Sequence, residues 1–201
     1  MSVSFENVSF AYGKTTVLDG VTWCLPDRGV VCLWGASGCG KTTVLRLLAG
    51  LEKPSAGVVH SADRVAMVFQ EDRLLPWRTA LENVTVIGAD EVAARELLAN
   101  LGLTEEEIGA YPRHLSGGQQ RRVALARALA AESDILLLDE PFNGLDEGTW
   151  QDVVPLIRQT AKSRPVVLVT HIREQVQALD ATVIPLGEAP QAGQWQTVDF
   201  L

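Results

Sequence analysis

The chain has 201 residues, with 17 Lys plus Arg against 25 Asp plus Glu, a formal charge of −8 and 47% hydrophobic content. That length is one or at most two domains with ample material for a packed core, which excludes a disordered solvating chain and a disulfide-stapled miniprotein and points to a soluble globular domain. The acidic balance, without any run of Lys and Arg to reverse it locally, argues against nucleic acid as a partner.

The start, Met1-Ser2-Val3-Ser4-Phe5-Glu6, has neither the positive n-region nor the apolar h-region of a secretory signal, so a cytoplasmic location is expected. Val3, Phe5, Val8 and Phe10 nearly alternate with polar residues, and Val21, Trp23 and Leu25 repeat the habit. Both stretches predict half-buried strands of an antiparallel sheet. After Gly29 an unbroken apolar run, Val30 to Trp34, reads as a fully buried strand of a parallel sheet. The glycine-rich segment Gly35 to Gly40 leads into Val44, Leu45, Leu47 and Leu48 at helical spacing, with Gly50 as a stop. Short strands follow near Gly57 to His60 and Arg64 to Phe69.

From residue 71 to 131 the composition turns to Leu, Ala, Glu and Arg, and Thr79 with Glu82 and Thr104 with Glu107 are capping-box starts of helices. Two further buried runs, Ile135 to Leu138 and Val166 to Val169, end in Asp139-Glu140 and Thr170-His171, and ligand chemistry in open α/β sheets collects at such carboxyl ends. All these apolar runs fall far short of the ~20 residues that cross a bilayer. The tail from Ala181 reads as one or two strands. Cysteines 24, 32 and 39 have no CxxC spacing and read as reduced thiols, with Cys24 and Cys32 expected in the core.

Three segments carry chemistry. Gly35-Ala36-Ser37-Gly38-Cys39-Gly40-Lys41-Thr42 fits GxxxxGK followed by Ser or Thr, the phosphate-binding loop. In such a loop the backbone N–H groups would cradle phosphate oxygens at a helix N-terminus, Lys41 would bridge the β- and γ-phosphates, and the Thr42 hydroxyl would join a Mg²⁺ shell. The bland alternative is a Gly-rich turn with a solvated lysine. If the loop holds Mg-ATP, Asp139 is placed to reach the metal and Glu140 to polarise the attacking water; otherwise they are an acidic pair capping the sheet edge. Leu115-Ser116-Gly117-Gly118-Gln119 contains a capping box, Ser116 with Gln119, but two glycines in a first turn cost up to ~1 kcal/mol each. They make sense where something anionic approaches bare backbone.

On these segments the chain resembles the ATP-binding-cassette (ABC) ATPases, whose signature matches Leu115 to Gln119 at every position and is followed in family style by Gln120 to Ala128. The resemblance covers essentially the whole chain in order: phosphate loop, glutamine, signature, Asp-Glu strand, histidine. It implies an α/β fold, a P-loop NTPase (RecA-like) core with an antiparallel β subdomain and an inserted α-helical subdomain. Residues 1–201 would be a single ABC ATPase domain, with 1–70 and 132–201 as the catalytic core and 71–131 as the helical signature subdomain.

It further implies ATP hydrolysis with ATP and Mg²⁺. Each ATP would be sandwiched between Gly35, Ser37, Gly38, Cys39, Gly40, Lys41, Thr42 and Thr43 of one subunit and Ser116, Gly117, Gly118 and Gln119 of a second copy. Glu140 would be the general base, His171 the switch histidine at the γ-phosphate, and Gln70 the glutamine that senses Mg²⁺ and joins the two parts, so that Thr42, Gln70 and Asp139 make the metal site. Tyr12 would stack on adenine, where a lone Tyr after a strand otherwise packs. Asp146 would sit on the loop crossing the dimer seam, and equally reads as an N-cap. His60 and His114 have no motif support. Ile172 and Gln175 stand where the family usually has Asp and Glu, which leaves hydrolysis intact and puts a supporting contact in doubt.

Leu74 to Val84 resembles the same region in ATPase subunits of bacterial importers for nitrate, sulfonates, taurine and pyrimidine precursors. The partners implied are a second copy, integral membrane permease subunits and an external solute-binding protein, with the chain peripheral on the inner face of the membrane. Trp77 beside Pro76 either faces a docking groove for the permease or packs inside. A P-loop metabolite kinase would leave Leu115 to Gln119 and His171 idle. A non-transport ABC ATPase usually has a long coiled coil or two cassettes, and this chain has neither. A binding module in which nucleotide only regulates assembly is the remaining alternative.

Overall fold

The computed structural model describes residues 3–186. In chain order its elements are β1 (Ser4–Tyr12), β2 (Thr15–Cys24), β3 (Gly29–Trp34), α1 (Lys41–Leu48), β4 (Ala56–His60), β5 (Val65–Val68), α2 (Ala80–Thr85), α3 (Glu91–Asn100), α4 (Glu105–Ile108), α5 (Gly117–Ala130), β6 (Ile135–Asp139), α6 (Glu147–Ala161), β7 (Pro165–Val169), α7 (Arg173–Ala178) and β8 (Thr182–Pro185). A three-stranded antiparallel sheet has the order β2-β1-β4, and a five-stranded sheet the order β5-β6-β7-β3-β8. Every pairing in the larger sheet is parallel.

The continuous apolar runs follow from burial of that sheet on both faces. Side chains alternate across a strand. Val31, Leu33, Ile135, Leu137, Val167 and Val169 therefore face a core shared with Val44, Leu45 and Leu48 of α1 and with the antiparallel sheet. There Phe5 and Trp23 stack at 4.7 Å between ring centroids. Their alternates Val30, Cys32, Leu136, Leu138, Val166 and Leu168 face a second core with Val123 and Leu125 of α5 and Val153 and Ile157 of α6. Helix α1 is thus clamped between the two sheets, which fixes the loop that precedes it.

Helices α2 to α5 follow one another between β5 and β6, and their starts are set locally. Thr79, Thr104 and Ser116 each form a reciprocal capping box, with Glu82, Glu107 and Gln119. The start of α3 is signalled by a lone Asp90, whose carboxylate accepts from the N–H groups of Val92 and Ala93. Of the strands expected after Ala181, β8 forms at Thr182–Pro185; the rest of that tail lies outside the described residues. Among the described residues no helix is long and apolar enough to cross a membrane.

Cys32 is fully buried as expected, but Cys24 is exposed. The reason is strand phase. Trp23 points inward against Phe5, so its neighbour on β2 must point out. Burial pushes the Cys32 thiol up to about 12. With Ellman's reagent in native buffer Cys24 is expected to react promptly and Cys32 only after unfolding in urea, which peptide mapping of the labelled thiols would check.

Candidate functional site

Parallel pairing brings the C-terminal ends of β3, β5, β6 and β7 to one edge, and the chemistry-bearing segments leave from that edge. Leaving β3, the chain turns through Gly35 to Gly40 into α1. Gly40 has φ +102°, and a Cβ there would lie 2.7 Å from Val17 Cγ1, so both conformation and space call for glycine. Lys41 Nζ folds over the loop and donates to the Gly35 and Ala36 carbonyls, each at 2.8 Å. Helices α2 to α6 all have a side-chain N-cap, whereas α1, after its long loop, and the short α7 have none. The first N–H groups of α1 therefore offer themselves to an external anion.

At the end of β6, Asp139 is only 3% exposed, and its Oδ1 accepts from the Thr42 hydroxyl at 3.3 Å. Burial raises the Asp139 carboxyl, partly offset by that hydrogen bond. A hydroxyl and a carboxylate oxygen brought together from α1 and β6 are hard donors that suit a small divalent cation.

Glu140 then takes φ +49°, a left-handed backbone uncommon for a non-glycine residue. The turn directs its carboxylate away from Asp139, toward His171, whose Nδ1 lies 3.8 Å from Oε1, and toward Asn143, whose amide donates to Oε2 at 2.8 Å. Gln70, exposed just past β5, offers its backbone carbonyl to Arg121. The His171 loop is tied locally: the Thr170 hydroxyl donates to Gln175 Oε1 and accepts from the Ile172 N–H. Gln175, at 4% exposure, thus supplies an uncharged supporting contact at its position.

Tyr12 ends β1 half exposed, edge-on to Phe10 and within 3.5 Å of the Arg46 guanidinium on α1. Asp146 caps α6 and accepts from the Thr149 N–H and hydroxyl, which lowers its carboxyl. His60 pairs with Glu6, and His114 packs by Tyr111 and Arg113.

Ser116 and Gly117 are exposed, and Gln119 is held in place by Glu107 of α4 as well as by its capping box. The two glycines differ in kind. A Cβ on Gly117 would meet nothing within 4 Å, whereas one on Gly118 would lie 2.9 Å from the Gly144 carbonyl. Gly118 is therefore required by packing within this chain, against the loop that leads to Asp146.

Charge placement separates the helices further. Among the described residues α1 and α5 are the only α-helices with no acidic side chain in the first turn. An acid there would repel a phosphate and use up the favourable end of the helix dipole.

Two residues that hold the Glu140 turn, Asn143 and Arg121, are not among the site residues expected from the sequence. Asn143, which holds Glu140, gives no sequence signal. Arg121 gave one: it lies at i, i+3, i+4 and i+7 with the buried Ala124, Leu125 and Ala128 of α5, so the helical period points a guanidinium into the core.

Fold and site together define a P-loop ATPase of the cassette type. The chain belongs to the ABC transporter family, whose sequence profile matches residues 18–143, and it is an ATP-binding, ATP-hydrolysing subunit of that kind. It is 41% identical to the aliphatic sulfonates import ATP-binding protein SsuB 3 of Paraburkholderia xenovorans, over 98% of this chain and 81% of that protein. It is 43% identical to SsuB 1 of Shouchella clausii, over 92% and 77%. A dimeric ATP-binding cassette solved in a post-hydrolysis state with ADP and Pi superposes with a TM-score of 0.81 at 31% identity, covering 92% of this chain and 94% of that one.

The unequal glycines lead to opposite expected outcomes. Gly118→Ala should destabilise the chain by about 1–3 kcal/mol through overpacking, while Gly117→Ala should be neutral or stabilising by up to ~1 kcal/mol. Urea denaturation of the two variants beside the parent chain measures both.

Proposed function

We propose that this chain is the ATPase subunit of a bacterial importer for aliphatic sulfonates, working as a homodimer closed by ATP on a membrane permease. The solute class rests on the printed names of relatives about 40% identical over most of the chain. The nucleotide assignment rests on one observation above others: the two helix ends matched to phosphates, α1 and α5, are the ones left free of acidic side chains.

In this reading the N–H groups of Gly38 to Thr43 and the Lys41 ammonium hold the β- and γ-phosphates, with Gly35, Ser37 and Cys39 completing the loop and Tyr12 stacking on adenine. Thr42 and Asp139, with Gln70, would hold Mg²⁺, which neutralises phosphate charge when bound. Glu140 accepts the proton of the attacking water, and His171 contacts the γ-phosphate from the neighbouring loop. Ser116, Gly117, Gly118 and Gln119 of the second copy complete the site, and Asp146 combines its capping role with a place at the seam. The division into a core of 1–70 and 132–201 and a helical part of 71–131 is supported by the unbroken run of α2 to α5 between β5 and β6.

Trp77 is the contact proposed for the permease, on the cytoplasmic face of the membrane, with an external solute-binding protein delivering the solute. It is 68% exposed. Its loop is pinned by the fully buried Asn83, which bonds both backbone groups of Leu75 and the carbonyls of Arg78 and Thr79. A large aromatic held rigidly in solvent is suited to bury area in a partner at small entropic cost.

Glu140→Gln is expected to lower turnover about 10²- to 10⁴-fold while ATP still drives dimerisation on a sizing column. A normal rate would remove Glu140 from the role of base. Trp77→Ala should leave the ATPase of the isolated chain within about twofold of the parent and abolish solute-stimulated hydrolysis in vesicles containing the permease. Stimulation that survives the substitution would place docking elsewhere.

A further inference from the structure

We propose that Arg121 is a positioning residue for hydrolysis, which locks the Glu140 turn and the Gln70 loop to the helix that begins with Ser116 to Gln119. This rests on the assignment of Glu140 as base. Arg121 lies in the second turn of α5 and is 2% exposed. Its Nη2 donates to the carbonyls of Asp139 at 2.7 Å and Glu140 at 2.5 Å, and its Nε to that of Pro141 at 3.2 Å. Its Nη1 donates to the Phe69 carbonyl at 2.6 Å, more weakly to that of Gln70 at 3.4 Å, and to Asp72 Oδ1 at 3.0 Å. One guanidinium therefore spends its whole donor fork on two loops at the site edge.

A residue needed only to fill space here would be apolar, since burying a charge among packed helices and strands is costly. What the guanidinium supplies instead is direction. Three consecutive carbonyls, 139 to 141, point at it, and the middle one belongs to the residue with φ +49°. A left-handed non-glycine residue persists only where its surroundings over-determine it. The Glu140 N–H to the Val169 carbonyl and the Asn143 N–H to the Glu140 carbonyl hold the turn from the strand and loop sides, and Arg121 holds it from α5. Because the same fork grips Phe69 to Asp72, any shift of α5 reaches Glu140 and Gln70 together. Lysine cannot replace this, as its point charge has no planar fork to span both loops.

The test compares the full-length parent, Arg121→Lys, Asp72→Asn and Glu140→Gln by steady-state ATPase and thermal melting. Arg121→Lys should lower kcat about ten- to a hundredfold, as expected for a misplaced reacting group, with KM for ATP within about twofold. Asp72→Asn keeps the carbonyl contacts and removes the charge partner, so it should give a smaller fall in kcat, about threefold or more, again with KM unchanged. A purely structural role would lower the melting temperature and leave kcat per folded molecule at the parent value, and that result in Arg121→Lys overturns the proposal. A raised KM at unchanged kcat overturns it as well. Should Arg121→Lys fail to fold, Asp72→Asn decides: loss of kcat supports the proposal and an unchanged kcat sinks it. Normal turnover by Glu140→Gln would instead remove the assignment of the base, whatever the Arg121 variant does.

Discussion

Glu140 leaves β6 with φ +49°, and the division of labour at the site depends on that turn. In a continuing strand, successive side chains point to opposite faces of the sheet, which would send one of the two carboxylates into a core. The left-handed step lets Asp139 stay under α1, bonded to Thr42, while Glu140 swings along the sheet edge toward His171 and Asn143. A residue in that region costs about 1–2 kcal/mol relative to ordinary backbone, and the surrounding hydrogen bonds from β7, the 141–143 loop and α5 offset it. Strain at such a point is common where geometry matters more than local stability.

In a chain of net charge −8, acids near a bound polyanion are confined to the two with proposed roles, Asp139 and Glu140, and the helix starts show where the others are placed. Acidic side chains stand in the first turns of α2, α3, α4, α6 and α7, where they complement the positive end of the helix. At α1 and α5 that end carries no acid, which under the proposed function leaves it to phosphate. The sign of the whole surface is a weak guide to such binding. Effects of a helix terminus die away within a turn, and screening removes most of the distant acids.

Much of this was legible in the sequence because it is periodic or local. The runs Val30 to Trp34, Ile135 to Leu138 and Val166 to Val169 read as strands buried on both faces, and Thr79, Thr104 and Ser116 advertised their caps through partners three residues on. Asp90 did not, because its cap is one-sided. Cys24 departs from what its residue type suggests because strand phase, fixed by the inward Trp23 beside it, outweighs the burial habit of cysteine. The need for Gly118 was invisible for another reason: its neighbour Gly144 is distant in sequence, and a backbone carbonyl leaves no letter. Arg121 lay between these cases. The period of α5 pointed it inward, but its partners are mostly carbonyls on two remote loops, and no sequence pattern records those. The order β5-β6-β7-β3-β8 was likewise beyond reach of pattern alone.

The arrangement of the insertion bears on how the chain reaches its native state. β5 and β6 are adjacent strands, yet Arg64 and Asp134 at their starts are 70 positions apart in sequence. Closing so long a loop before any contact rewards it is slow. Between the two strands lie α2 to α5, three of them begun by reciprocal caps formed within a few residues. Helices this short are marginal alone, but helix–coil steps take about a microsecond or less, so the helical segment is sampled many times while distant strands search for each other. As the helices condense, the span between β5 and β6 shortens, so the helical segment acts as a tether that lowers the entropic barrier to assembling the sheet edge on which the nucleotide site is built.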